Sequence, residues 1–148
     1  MESRFMTRAI EMAKIASSQG EIPVGAVIVK DGKIIGEGYN MREQKKNVLS
    51  HAEIEAINNA CNYLGDWRLD GCTIYVTLEP CPMCAGAIIN ARIKEIVFGA
   101  YDLSMGCVDS VTNMANLPFA TGTTVYGGIK EDECKKILTD FFEGVREK

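Results

Sequence analysis

Thr73-Ile74-Tyr75-Val76-Thr77-Leu78-Glu79-Pro80-Cys81-Pro82-Met83-Cys84 is the stretch whose reading decides the fold. Its first half, Thr73 to Leu78, is a short apolar run rich in β-branched residues and reads as a buried strand. Its second half opens a helix, expected over Cys81 to Arg92. Pro80 drives Glu79 into extended backbone, and Pro82 suits a first helical turn, where its missing N–H costs nothing. A strand that runs directly into a helix points to an α/β architecture. The helix start also sets Cys81 and Cys84 on one face, where free amides and the helix dipole favour thiolates.

Upstream, Ser50-His51-Ala52-Glu53 opens another helix, expected over Ser50 to Leu64, with Ile54, Ile57, Cys61 and Leu64 on one stripe. The 26 residues between Glu53 and Pro80 hold this helix and the strand, enough to bring the two helix N-termini side by side. An H-x-E and a P-C-x-x-C then converge. One imidazole and two thiolates fill three tetrahedral positions of a zinc ion and leave the fourth for water, as in catalytic rather than structural zinc sites. Water held there ionises near neutral pH. Glu53 is the group to take its proton and pass it to a ring nitrogen and a departing amine. This pairing of H-x-E with P-C-x-x-C is the signature of zinc nucleobase deaminases. Each half has a plainer reading: Cys-x-x-Cys as a redox pair, and Ser50 with Glu53 as a capping box in which Glu53 only caps its own helix. Their order and spacing together favour the metal.

Outward from this centre, Glu2 to Ser18 has helical apolar spacing that Gly20 ends. Ile22 to Val29 and Lys33 to Tyr39 flank Asp31-Gly32 and read as a β-hairpin. Asn40 to Leu49 is polar and reads as a loop. Lys94 to Ala100 is a strand, and Tyr101 to Thr121 is irregular with a short helix near Ser110 to Ala115. Thr123 to Tyr126 is a short strand. Glu131 to Val145 closes the chain as an amphipathic helix with Cys134, Ile137, Leu138, Phe141 and Phe142 inward. Helices alternating with strands after a hairpin predict a single domain, residues 1–148, folded as a three-layer α/β/α sandwich around a mixed sheet of about five strands.

Of the 148 residues, 47% are hydrophobic and 24% charged, a globular composition. The net charge of −4 argues against a dominant basic surface for long nucleic acid, and leaves room for a local basic patch. No apolar run reaches the roughly 20 residues of a membrane helix, and no signal peptide is evident, so a cytoplasmic protein is expected. Cys61, Cys72, Cys107 and Cys134 lack a framework spacing and are expected to be free and buried.

Several segments together resemble the bacterial tRNA adenosine deaminase family, which converts adenosine to inosine at the wobble position. They are Glu21-Ile22-Pro23-Val24-Gly25-Ala26-Val27, Gly36-Glu37-Gly38-Tyr39-Asn40, His51-Ala52-Glu53-Ile54, Thr77 to Ala87, Val97-Phe98-Gly99-Ala100 with Asp102, and Asp140-Phe141-Phe142. The resemblance covers almost the full length. It implies a cytidine-deaminase-like sandwich, one zinc per subunit and a homodimer acting on a tRNA anticodon loop. It also implies that His51, Cys81 and Cys84 are ligands and that Glu53 is the proton shuttle. Asn40 would contact the flipped base or its ribose, Val24 and Ala52 would line the base pocket, and Asp102 would lie near the substrate backbone. Arg42, Lys45 and Lys46 follow Asn40 and are candidate phosphate contacts; the alternative is a solvated charged loop. Two segments depart from the family: Phe119-Ala120-Thr121-Gly122-Thr123 replaces an Asn-His-Arg-like segment, and the tail Glu143-Gly144-Val145-Arg146-Glu147-Lys148 is not strongly basic. Both remove expected nucleic-acid contacts. The competing readings are a deaminase of a free base or nucleoside, of guanine or cytosine type, and a zinc or redox module without hydrolysis.

Overall fold

The structure is a computed structural model that describes residues 2–120 and 122–146. The expected hairpin, β1 (Gly25–Lys30) and β2 (Lys33–Tyr39), forms one side of the sheet. The two linking residues, Asp31 and Gly32, have φ of 51° and 73°, the positive values that a two-residue type I′ turn demands. The first strand starts later than the expected Ile22 because Val24 N–H turns back to Ile22 O at 2.9 Å. A bulge between Ile28 and Val29 breaks the β1–β2 register.

Three further strands, β3 (Thr73–Leu78), β4 (Glu95–Ala100) and β5 (Thr124–Tyr126), complete a five-stranded sheet in the order β2-β1-β3-β4-β5. β1 runs antiparallel to both neighbours, whereas β3, β4 and β5 are parallel, so the sheet is mixed as expected. The alternation of side chains along each strand feeds two cores. Ala26, Ile28, Ile74, Val76, Ile96 and Phe98 face one layer. Val27, Val29, Tyr75 and Val97 face the other.

Helices α1 (Ser3–Ser18) and α5 (Glu131–Arg146) cover the second of these faces. Cys134 of α5 is buried and Ile137, Leu138 and Phe141 are half-buried, but Phe142 points outward, 44% exposed. Helices α3 (Ala52–Leu64) and α4 (Pro82–Asn90) cover the first face. The deeply buried stripe of α3 is Ala52, Ala56 and Ala60; the expected Ile54, Ile57, Cys61 and Leu64 are only half-buried. The helix lies too close to the sheet for larger side chains. A β-carbon on Gly36 would meet Ala56 O at 2.5 Å, and one on Gly38 would meet Ala56 N at 2.5 Å and overlap Ala52 O.

The segment expected as a plain loop after Asn40 contains a single helical turn, α2 (Arg42–Lys45). Its start is capped from afar: the buried Glu21 carboxylate accepts from Glu43 N at 3.1 Å and Gln44 N at 2.8 Å. The short helix expected near Ser110 to Ala115 is a 3₁₀ turn at Met114–Asn116, capped by Asn113. All six cysteines are free; Cys72, Cys107 and Cys134 are buried as expected, whereas Cys61 is half-exposed. No described helix is long and apolar enough to cross a membrane.

Candidate active site

His51 and Cys81 occupy equivalent places: each is the N-cap of its helix, α3 and α4 respectively, with extended backbone and no side-chain capping bond. Pro82 holds the first helical turn of α4, as its fixed φ favours. Because the N-cap of α3 is His51 and not Ser50, and no side chain caps that helix, the Ser50–Glu53 capping box does not form. The imidazole and Cys81 thus project from two neighbouring helix starts, and Cys84 joins them from the first turn of α4.

His51 Nδ1 lies 3.8 Å from Cys81 Sγ and 3.5 Å from Cys84 Sγ. The three donor atoms all lie within 4.8 Å of one another. Tetrahedral zinc, with bonds of roughly 2.3 Å to sulfur and 2.0–2.1 Å to nitrogen, spaces its donors about 3.5–3.8 Å apart. The donor set and its spacing therefore fit such an ion. A hydrogen bond from the Cys84 thiol pulls Cys81 down to about 4, and the same bond together with burial pushes Cys84 up. His51 is raised, first by its hydrogen bond with Cys81. Both sulfurs would give up their protons to hold a metal ion as thiolates.

Glu53, 4% exposed, stands beside this cluster in the first turn of α3. Burial pushes its carboxyl up to about 7. A carboxyl in that range both accepts and donates protons near neutrality.

The cluster opens into a cavity of about 290 Å³, lined by Ile22, Val24, Asn40, Arg42, His51, Ala52, Glu53, Leu78, Glu79, Cys81, Asp102 and Met105. This lies at the small end of ligand pockets, which run from roughly 300 to 1,000 Å³. Eight of the residues singled out from the sequence meet here. Asn40 is buried; its Nδ2 donates to Ile22 O at 3.3 Å and its Oδ1 accepts from Arg42 N at 3.3 Å, which fixes its amide at the cavity wall. Asp102 is half-buried, and its Oδ1 also accepts from Ser104 and Met105 N–H at 3.1 Å each, capping the following turn.

Lys45 and Lys46 do not line the cavity. Lys45 Nζ pairs with Glu55 Oε1 at 2.5 Å, and the exposed Lys46 ends α2 in a left-handed conformation. Thr121 of the divergent 119–123 segment, and Glu147 and Lys148 of the tail, lie outside the described residues. A larger depression of about 850 Å³, between Trp67, Asn90, Arg92 and Phe119, sits at the opposite ends of the strands. It contains none of the metal-capable cluster, so the chemistry belongs to the smaller cavity.

Sequence reasoning passed over Glu79, which lines the cavity while 2% exposed. The one signal for it is a charged residue between a buried strand and Pro80.

Comparison with known proteins agrees with this geometry. The MafB19-like deaminase family matches residues 2–146. A tRNA-specific adenosine deaminase of Bacillus subtilis (strain 168) is 45% identical over 97% of this chain and 90% of its own length. A solved structure from work on A-to-I editing by tRNA:A34 deaminases at the wobble position of transfer RNA superposes with a TM-score of 0.89 at 41% identity. That match covers 93% of this chain and all of the other. A guanine deaminase structure from Bacillus subtilis, 45% identical, covers 68% of this chain and 65% of its own, with a TM-score of 0.65. The chain belongs to the MafB19-like deaminase family, and within it to the bacterial tRNA adenosine deaminases.

Proposed function

We propose that this chain hydrolyses adenosine to inosine at the wobble position of tRNA, as a cytoplasmic zinc-dependent homodimer with residues 1–148 forming one domain. The observation that carries the reading is a buried carboxylate, Glu53, on the same small cavity as an imidazole–dithiolate cluster. Its likeness to tRNA-specific adenosine deaminases names the base and its RNA.

His51, Cys81 and Cys84 would hold the zinc, which when bound supplies a Lewis acid that acidifies water to a pKa of about 7. Glu53 takes the water proton and delivers it to the purine ring nitrogen. The oxygen adds to the amino-bearing ring carbon. Glu53 then takes the proton of the newly added hydroxyl and moves it to the exocyclic nitrogen; the carbon–nitrogen bond breaks as the carbonyl forms, and ammonia leaves with inosine as product. Val24 and Ala52 pack the base, and the fixed amide of Asn40 meets its polar edge or ribose. Asp102 and Arg42 stand at the cavity rim toward the RNA backbone.

A panel of free bases, nucleosides and an anticodon stem-loop RNA, assayed for ammonia release, tests this. We expect inosine in the stem-loop and little turnover of free adenosine. The likeness to a guanine deaminase favours a second reading, in which a free base is the substrate. Against it, no described residue of α5 lines the cavity, so the described part of the closing helix does not seal it. Rapid turnover of guanine or cytosine with an inert stem-loop would replace the first reading by the second.

A further inference from the structure

The buried carboxylate of Glu79 takes no part in the proton transfers above, yet it is the most heavily hydrogen-bonded side chain near the cavity. Its Oε1 accepts from Asp102 N at 3.1 Å and from the Ser110 hydroxyl at 2.5 Å. Its Oε2 accepts from Val108 N at 3.3 Å and from Asp109 N and Ser110 N at 2.8 Å each. Both ends of the 102–110 loop thus converge on one side chain, which leaves the end of β3 just before the ligand Cys81.

The loop lies flat on the carboxylate because residue 106 is glycine. A β-carbon there would overlap the Glu79 carboxyl and meet Asp102 O at 2.5 Å. The same loop lends Asp102 and Met105 to the cavity wall.

We propose that Glu79 is a positioning residue: it fixes the 102–110 loop as one wall of the cavity and so sets where Asp102 meets the substrate. The substrate side of this inference rests on the deaminase reading; the loop side does not. A loop held by backbone N–H groups on one buried acceptor is preorganised, and ordering it on binding would weaken affinity rather than chemistry.

Glu79→Gln is the discriminating variant. It keeps the shape and replaces one acceptor oxygen with an NH₂. That NH₂ fits best on the Oε1 side, where the Ser110 hydroxyl can turn round and accept. Asp102 N–H is then left facing a donor, so the variant unfastens the Asp102 end. Gly106→Ala loosens the same loop from its other side with Glu79 intact.

Three measurements on the zinc-loaded protein read the result: metal content, amide hydrogen exchange across residues 102–110, and steady-state kinetics on the anticodon stem-loop. For both variants we expect unchanged zinc, faster exchange in the loop with the largest gain at Asp102 in Glu79→Gln, KM raised about tenfold, and kcat within about threefold. Unchanged loop exchange and KM in both would overturn the proposal. So would a fall in kcat with loss of zinc and unchanged KM, which would place the action of Glu79 on the ligands through Pro80. If Glu79→Gln does not fold, Gly106→Ala decides alone. If the wild-type protein leaves the stem-loop untouched, the substrate reading fails while exchange and zinc content still judge the loop.

Discussion

Glu53 and Glu79 are both buried carboxylates, 4% and 2% exposed, with opposite surroundings. Around Glu79 the chain supplies five donors; around Glu53 burial dominates and lifts the carboxyl to about 7. Glu53→Gln keeps size and removes the ability to carry a proton. We expect one zinc per chain in both forms and turnover lower by about 10² to 10⁴ in the variant. Metal analysis beside an activity assay checks this, and full activity with zinc retained would reduce Glu53 to a structural residue. The contrast also marks what sequence discloses. That His51, Cys81, Cys84 and Glu53 come together was legible because H-x-E and P-C-x-x-C set particular side chains at particular spacings on two helix starts. Glu79 was not, because its partners are mostly backbone N–H groups 23 to 31 residues away, and a backbone amide has no residue type to read.

Among the elements, α3 is placed by absence of bulk. Its Ala52, Ala56 and Ala60 ride directly over Gly36 and Gly38 of β2, so the height of the helix above the sheet, and of His51 at its N-cap, is set by two missing side chains. Gly38→Ala inserts a methyl against helix backbone that has no room to rotate away. We expect a loss of about 1–3 kcal/mol in denaturant unfolding. Gly144→Ala is the counterpart: it sits in α5 with no atom within 4 Å of the added carbon, and should be neutral or stabilise by up to about 1 kcal/mol. Equal effects at the two sites would refute the close-approach argument. The hairpin was legible from Asp31-Gly32, since two adjacent positive φ values have few sequence solutions. The turn α2 escaped notice because its cap comes from Glu21, 22 residues upstream of Glu43. The apolar stripe assigned to α3 followed residue size, whereas the packing selects smallness.

At the level of the whole molecule, the three layers and the mixed sheet followed from alternating periodicities, and the course of the irregular 101–118 segment did not, since it is held by long-range bonds to Glu79 and Pro80 and by local turns at Met114 to Leu117. Five of that segment's apolar residues are Met105, Val108, Val111, Met114 and Leu117. Val108 is in the chain's own core and Met114 is half-buried, whereas Met105, Val111 and Leu117 are exposed, joined by Leu103 at 84%. An exposed apolar group of this kind supports the proposed dimer. Light scattering at micromolar concentration should give twice the mass of the single chain; the monomer mass would count against dimerisation.

The two borders of the sheet carry one more consequence. On the β2 side, the bulge at Ile28/Val29 interrupts the ladder, Asn59 Nδ2 of α3 donates to Glu37 O at 2.7 Å, and Arg8 pairs with the Glu37 carboxylate. On the other side, β5 offers only Thr124–Tyr126. Neither border presents the long, flat row of unpaired amides that templates fibril growth. The folded chain is therefore poorly suited to strand-by-strand polymerisation at high concentration.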